Sequence, residues 1–546
     1  MTASTLYFNG PILSMDAQDS MPEAVLTRGE TIIAVGTQAD LRAQMQADTT
    51  LVDLQGQTMI PAFIDPHGHF PDSGFIALFR VNLSAPPLGT CPDMATSLAR
   101  LRDRADATPK GEWVMGVSFD NTSIAEGRMP TRAELDSVSL EHPIWVIHAS
   151  GHNGAANSVA LARQGITEDT PNPLGGRYDR DPETGALTGL IEGISAMGAL
   201  GDTTFLIDEV QFWQGFAASR DEYLSHGVTY GQNAWANADL LSRFAGFPAD
   251  KDPGFDLTIL PIAELEPNLS QGPKAMREFS NPYFTMGPRK LFSDGAFQLQ
   301  TAYLREDYYR PVTPEATRGV PYANADHLTA EVRKLHDLGF QIHCHCNGDA
   351  GADMFLDAVE AAQTANPRRD HRHTIIHGQL LHDDQFKRMA RLGVTVSFFS
   401  AHIYYWGDRH RDTFLGPERA ARLSAAASAA RHGIRFTLHN DASVTPTRPI
   451  HLAHCAVNRL TATGDMLGEE QKISVLSALR AQTIDAAWQV FQEGRRGSIE
   501  AGKLADLTIL SRNPLNDPDR LLDTKVTKTI RRGTPVFENA AASDIK

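Results

Sequence analysis

The spacing of apolar positions changes twice along the chain. Over residues 1–60 they fall in short alternating runs broken by turn residues. These are Thr5–Met15 around Asn9-Gly10, Glu23–Gly36 around Arg28-Gly29-Glu30, then Thr50–Asp53 and Thr58–Ile60. Alternation with a turn every few residues predicts a small antiparallel sheet. The same texture returns near the C-terminus, in Gly497–Gly502, Ala505–Leu510 and Lys525–Phe537, with a turn at Arg532-Gly533. The economical reading is one β-sandwich built from both ends of the chain.

Between these ends, helical and strand periods alternate. Leu328, Val332 and Leu335 share a helical face that stops at Gly339, and Phe340–Cys346 follows as a strand. Ala350–Ala362 reads as helix, His373–Gln379 as strand, Asp383–Leu392 as helix stopped by Gly393, and Val394–Phe399 as strand. Pro417–His432 is an Ala-rich helix stopped by Gly433, and Ile434–Leu438 is the next strand. Strand–helix units imply βαβ connections and a parallel sheet. The predicted class is α/β: a (β/α)8 TIM-like barrel over 61–490, with the sandwich supplied by 1–60 and 491–546. Residues 70–200 break the rhythm. They hold Pro86-Pro87, the charged stretch Arg100–Lys110 and the hairpin-like Gly175–Gly189. They are read as two early barrel strands with insertions.

Composition narrows the function. Over 546 residues, 42% hydrophobic and 21% charged residues describe an ordinary soluble globular chain, long enough for a large core. Lys plus Arg is 50 against 66 for Asp plus Glu, a formal charge of −16 that argues against a nucleic-acid partner. Cys91, Cys344, Cys346 and Cys455 are too few for a disulfide framework. No basic-then-apolar leader and no membrane-length apolar run is evident, so a cytoplasmic protein without a membrane partner is expected. The 20 histidines matter most, because several are clustered.

Pro61-Ala-Phe-Ile-Asp-Pro-His67-Gly-His69 ends an apolar strand with two imidazoles. Side chains two apart on a strand share a face, so His67 and His69 point together and can bind one metal ion. Alone, such a pair is a weak signal and more often incidental. In Gln341-Ile-His343-Cys-His345-Cys-Asn-Gly-Asp349, His345 lies nearer the strand's C-terminal end and is the better ligand. His343 reads as a packed core residue, and Cys344 and Cys346 as buried structural thiols on the other face. Thr374-Ile-Ile-His377 and Phe436-Thr-Leu-His439-Asn-Asp441 again close apolar strands with polar groups. Singly, His377 could be structural and Asp441 a helix N-cap. Together, His-x-His, His, His and Asp at successive strand ends suit Zn²⁺ or a similar ion. Lys290, in Arg289-Lys290-Leu-Phe-Ser-Asp294-Gly295, has two readings. It is either a buried amine that takes up CO₂ as a metal-bridging carbamate, or a surface lysine paired with Asp294.

In this order these residues resemble the amidohydrolase superfamily, and most closely its amidohydrolase family 3, or YtcJ-like, branch. The resemblance spans almost the whole chain. It includes Gly497-Ser-Ile-Glu-Ala-Gly-Lys-Leu-Ala-Asp-Leu-Thr-Ile-Leu, which is similar to the family's return into its β-sandwich. Cys346-Asn347 departs from the family's smaller or apolar residues. Leu-His439-Asn-Asp441 departs from its commoner Gly-Ser-Asp or Gly-Thr-Asp. The resemblance implies hydrolysis of an amide-like C–N bond through a metal-activated water. His67, His69 and Asp441 would hold one metal, and His345 and His377 a second. Carboxylated Lys290 would bridge them, with Asp441 as the proton shuttle.

His152 and His402, in loops after strands, are candidates to hydrogen-bond the substrate carbonyl. Phe398, Phe399, Tyr404, Tyr405 and Trp406 are candidates for an aromatic wall, their bland alternative being core packing. The expected partners are a small-molecule substrate and at most a second copy in a homodimer. One or two divalent ions, zinc first, are the expected cofactor. The competing reading is a metal-binding barrel with a lyase, isomerase or regulatory role and no amidase activity.

Overall fold

Parallel strands joined by helices occupy the middle of the chain in a computed structural model. The structure describes residues 3–173, 176–200, 207–262, 272–276, 280–312 and 317–539. One parallel sheet has four strands: β1 (Phe63–Ile64), β2 (Val228–Ala236), β3 (Asp256–Pro261) and β4 (Phe284–Met286), with β1 beside β2, β2 beside β3 and β3 beside β4. The other has five, paired in chain order: β5 (Arg289–Phe292), β6 (Ile342–Cys346), β7 (Thr374–His377), β8 (Thr395–Phe398) and β9 (Phe436–Leu438). A parallel bridge from Ile262 to Lys290 links the two sheets. Every residue of β3, β6, β7, β8 and β9 is buried, as expected for parallel strands covered on both faces.

The helices follow local signals. Asn324 caps Ala325–Asp337, whose buried face includes Leu328, Val332 and Leu335. Gly393, at φ 75°, ends Asp383–Leu392 in the left-handed conformation that glycine adopts without strain. The expected single helix over Pro417–His432 is instead two, Gly416–Ala420 and Ala426–Arg431. Ser424 breaks it at φ 48°, where its N–H donates to the Gln379 carbonyl (2.8 Å). Here a tertiary hydrogen bond overrides alanine's helix propensity.

The chain divides into two compact units. One comprises Met1–Phe70, Arg220–Asp294 and Ala302–Lys546; the other comprises Pro71–Ser219 and Gly295–Thr301. The second unit corrects the sequence reading, since its strands do not join the parallel sheets. They form a six-stranded sheet from Val81–Asn82, Val114–Phe119, Ile144–His148, Asn153–Ala156, Arg177–Arg180 and Leu187–Glu192. The last two strands are the anticipated hairpin, although Gly175 lies outside the described residues. β1 and β2, about 160 residues apart in sequence, pair directly. That pairing is non-local, and periodicity carries no information about it.

Both termini are β-rich. Ser4–Phe8, Ala24–Arg28, Thr31–Gly36 and Thr50–Asp53 form one four-stranded sheet. Thr58–Pro61 joins Leu507–Leu510, Val526–Arg531 and Thr534–Glu538 in another. One hydrophobic cluster draws on both sheets, with Tyr7, Val25 and Ile32 from the first and Met59, Leu507, Ile509 and Ile530 from the second. Among the described residues, no helix is long and apolar enough to cross a membrane.

A buried ionic cluster ties the C-terminal strands to β3. Asp256 accepts from Arg496 (2.5 Å), Arg531 (2.5 Å) and Arg532 (3.0 Å). Burial alone would raise the Asp256 carboxyl, but the three guanidinium groups outweigh it and bring the pKa to about 2. This contribution is therefore full above the ordinary carboxylate range and is lost as pH falls toward about 2. Asp256→Ala strands buried cations, so at neutral pH it should cost about 3–5 kcal/mol. Thermal unfolding of the variant checks this, and an unshifted midpoint would mean that the cluster holds nothing together.

Candidate metal centre

The candidate ligands converge at the C-terminal ends of the parallel strands. The turn after β1 is held by backbone bonds from Asp65 N–H to Tyr230 and from Ala234 N–H to Gly68 (2.9 Å each). A Cβ at Gly68 would lie 2.7 Å from Asp65 Oδ2, so a larger residue would have to displace that side chain. His67 and His69 then both reach Asp441, their Nε2 atoms lying 3.5 Å and 3.2 Å from Asp441 Oδ1. Lys290 Nζ, from β5, is 3.4 Å from His67 Nε2. His377 Nε2, at the end of β7, faces His345 Nδ1 of β6 at 3.1 Å. His67, His377 and Asp441 offer ligand atoms all within 4.8 Å of one another. Two of these residues are backbone-strained, His377 at φ 76° and Asp441 at φ 51°. Strain of this kind is held by surrounding structure and clusters at functional sites.

Electrostatics favour a cation here. Burial holds His67 and His377 well below the ordinary histidine range, so both are neutral and keep a lone pair. Burial also lowers Lys290 to about 8, with Asp441 opposing. Burial alone would raise Asp441, but the His69 hydrogen bond and nearby cationic groups hold it below the usual carboxylate range. Neutral imidazoles plus one carboxylate are the donor set that Zn²⁺ takes. Tetrahedral bonds of ~2.0–2.1 Å give ligand–ligand edges of about 3.3 Å. The contacts of 3.1–3.5 Å among these donors match that edge, so the residues fit a divalent metal.

Other candidates are placed differently. His343 is fully buried beside Gln341 (3.4 Å), a core position. Cys344 and Cys346 are buried free thiols. Phe398 sits on the outer face of β8, packed on Phe436 (5.9 Å), so it is not part of a wall facing the ligands. Its neighbour Phe399 turns toward the centre instead, 5.9 Å from the His377 ring and 5.2 Å from the His439 ring. His402 contacts Phe399 (4.5 Å), stacks on Trp406 (4.4 Å) and meets His410 Nε2 through its Nδ1 (3.1 Å). Trp406 is fully buried, and Tyr404 packs against Tyr405 and His451. His152 belongs to the second unit, where burial lowers its imidazole to about 4.

The sequence reading gave several participants no place in the site. Phe292 stands beside His345 (5.4 Å), with Trp235 (4.9 Å) and Tyr322 (5.5 Å) against it. It lies two residues after Lys290, so strand alternation could have found it. Asn347 Nδ2 lies 3.1 Å from His345 Nε2, and Asp294 Oδ1 is 3.7 Å from the same nitrogen.

The description "Amidohydrolase family" belongs to the family model that matches residues 50–537. The chain belongs to the amidohydrolase family. It is a metal-dependent hydrolase by that membership. This amidohydrolase is 28% identical to the N-substituted formamide deformylase of Arthrobacter pascens, over 98% of this chain and 99% of that protein. It is 26% identical to the putative amidohydrolase YtcJ of Bacillus subtilis (strain 168), over 98% and 99% respectively. Its fold is similar to that of an uncharacterized metal-dependent hydrolase from Pyrococcus horikoshii OT3. That match has a TM-score of 0.74 at 22% identity, covering 95% of this chain and 99% of the other.

Metal binding should be visible as stability. Zn²⁺ added to metal-depleted amidohydrolase should raise its thermal midpoint, by linkage worth about 2.7 kcal/mol at a hundredfold excess over Kd. His69→Ala, whose side chain is 28% exposed and so tolerates truncation, should blunt the shift. A wild-type midpoint indifferent to Zn²⁺ would overturn the metal centre.

Proposed function

We propose that this amidohydrolase cleaves an amide-like C–N bond in a small N-acyl substrate bearing an apolar or aryl group. The observation that carries this reading is the convergence of His67, His69, His345, His377 and Asp441, with Lys290 beside His67. His67, His69 and Asp441 would hold one Zn²⁺, and His345 and His377 a second. When bound, such ions supply Lewis acidity to a water and to the scissile carbonyl.

Lys290 deepens the reading. Its amine, drawn toward neutrality by burial, is nucleophilic enough to add to CO₂. A C–N bond forms, a proton leaves, and the carbamate anion replaces a cation among the ligands. The Asp441 carboxylate would take a proton from the attacking water and pass it to the leaving nitrogen. Phe292, Trp235 and Tyr322 form an aromatic row beside His345, with Tyr322 46% exposed, which suits an apolar substrate group. The likeness to a deformylase of N-substituted formamides supports including a formyl group among the acyl groups. In this reading the parallel strands close into a (β/α)8 barrel over 61–490, and residues 1–60 and 491–546 share a β-sandwich.

A panel of N-formyl, N-acetyl and N-benzoyl amines, offered to Zn²⁺-loaded protein, tests the reaction. Turnover should vanish with chelator and return with metal. Silence on every amide, ester and lactam would instead favour a lyase, isomerase or regulatory role.

Lys290→Ala should lose one metal and most turnover, with short-chain carboxylates partly restoring both. Full metal content with normal rates would eliminate the carbamate and leave a single-metal enzyme. Asp441→Asn should cost about 10²–10⁴ in rate, and metal analysis separates lost proton transfer from lost metal. A near-normal rate would move the base elsewhere.

A further inference from the structure

A chain of buried polar groups runs beneath His377. His377 Nδ1 lies 3.1 Å from His439 Nε2, and His439 Nδ1 lies 2.8 Å from Ser397 Oγ. Thr437 Oγ1 contacts both Ser397 Oγ (2.7 Å) and Gln489 Oε1 (2.5 Å). Gln489 Nε2 donates to the Pro66 carbonyl (2.9 Å), which can only accept. Ser397, His439 and Gln489 are fully buried, and Thr437 is 2% exposed.

Counting protons gives this chain a direction. With Nε2 committed to Pro66, the amide turns its oxygen toward Thr437, and an amide oxygen only accepts. The single Thr437 hydroxyl proton therefore goes to Gln489. The Ser397–Thr437 contact then needs a proton from Ser397, which leaves Ser397 Oγ to accept from His439 Nδ1–H. A neutral His439 has its lone pair on Nε2, so His377 must carry its proton on Nδ1. The remaining lone pair of His377 sits on Nε2, which faces His345 and the candidate metal centre. A metal ligand's tautomer is commonly set by a hydrogen bond to its other nitrogen. Here that bond is the last of a series that starts at an amide.

We propose that Gln489, acting through Thr437, Ser397 and His439, is a positioning residue that locks His377 into the Nδ1–H tautomer and so presents Nε2 to a divalent metal. The proposal rests on reading His377 as a metal ligand. The chain is a lock and not a proton relay, because a neutral amide at its end cannot pass a proton onward. It also leaves His439 unsuited to act as a base, since both its ring nitrogens are engaged.

Nitrogen NMR of metal-free protein with isotope-labelled histidine reads the tautomers directly, with His377 identified by the signals that His377→Gln loses. The proton should sit on Nδ1 in the native protein and in Thr437→Ser, which keeps the hydroxyl. Thr437→Val keeps the shape without the hydroxyl and should give mixed tautomers. Zn²⁺ affinity, measured against a competing chelator, should fall about 10–100-fold in Thr437→Val and recover in Thr437→Ser. Gln489→Met breaks the outer end and should reproduce the valine result, which covers the case where Thr437→Val does not fold. A native His377 protonated on Nε2 would overturn the lock. So would native tautomer and native Zn²⁺ affinity in both variants. A fixed Nδ1–H tautomer in a protein that takes up no Zn²⁺ would support the lock and overturn the metal reading. Zn²⁺ uptake with Nε2–H would overturn the lock alone.

Discussion

A buried imidazole that must stay neutral has one proton and one lone pair, and the rest of this site follows from how those are allotted. His67, His377 and His439 are all held neutral by burial. Grouped imidazolium ions would repel strongly in so low a dielectric. Every ring nitrogen therefore needs a donor, an acceptor or a cation. His439 finds both partners among its neighbours, on Ser397 and His377. His67 Nε2, His345 Nδ1 and His377 Nε2 are directed instead toward other lone pairs, Asp441 or Lys290. Lone pairs grouped this closely are favourable around a cation, so these contacts mark the candidate metal centre.

Parallel register delivers these groups in layers. Lys290 lies opposite His343, and Phe292 opposite His345. Ser397 lies opposite Thr437. Alternation along each strand repeats the facing set every second residue, so one layer lies beneath the next. In β6 the deeper histidine, His343, packs against Gln341, while His345, one step outward, meets the candidate ligands. The lower layer of β8 and β9, Ser397 and Thr437, holds the partner of the upper one, His439.

The candidate ligands were legible in the sequence because a His-x-His pair, and an acid two residues after a strand-end histidine, are local patterns read by a period of two. The supports were not. Gln489 lies in no strand, and only the tertiary fold brings its amide to Thr437 and Pro66. Phe398 and Phe399 were grouped in one aromatic wall, but the strand ends at Phe398, beyond which alternation stops predicting direction, and Phe399 is the one that turns toward the centre. The break at Ser424 was hidden for a related reason, since nothing in an alanine-rich run announces a bond to Gln379. The two early strands expected within residues 70–200 do not join the parallel sheets, because Phe63 pairs with Val228 instead. Local period identified the elements, and long-range contacts decided which elements joined.

The two departures from the family's usual pattern fall where they alter ligands without replacing any. Asn347 touches the outer nitrogen of His345, and His439 the outer nitrogen of His377. Their effects on the two histidines differ. His345 Nε2 also stands 3.7 Å from Asp294, a carboxylate fixed by backbone N–H groups of Asn347, Gly348 and Tyr303. Burial raises that carboxyl to about 7, and at 3.7 Å it stands beyond hydrogen-bond reach, whereas Asn347 Nδ2, which only donates, lies 3.1 Å from the same nitrogen. The neighbour of His377 is a neutral imidazole, which orients the ring. The two histidines facing each other across 3.1 Å are thus held differently. An amide meets the outer nitrogen of His345, and His377 meets an imidazole whose own direction is fixed from below.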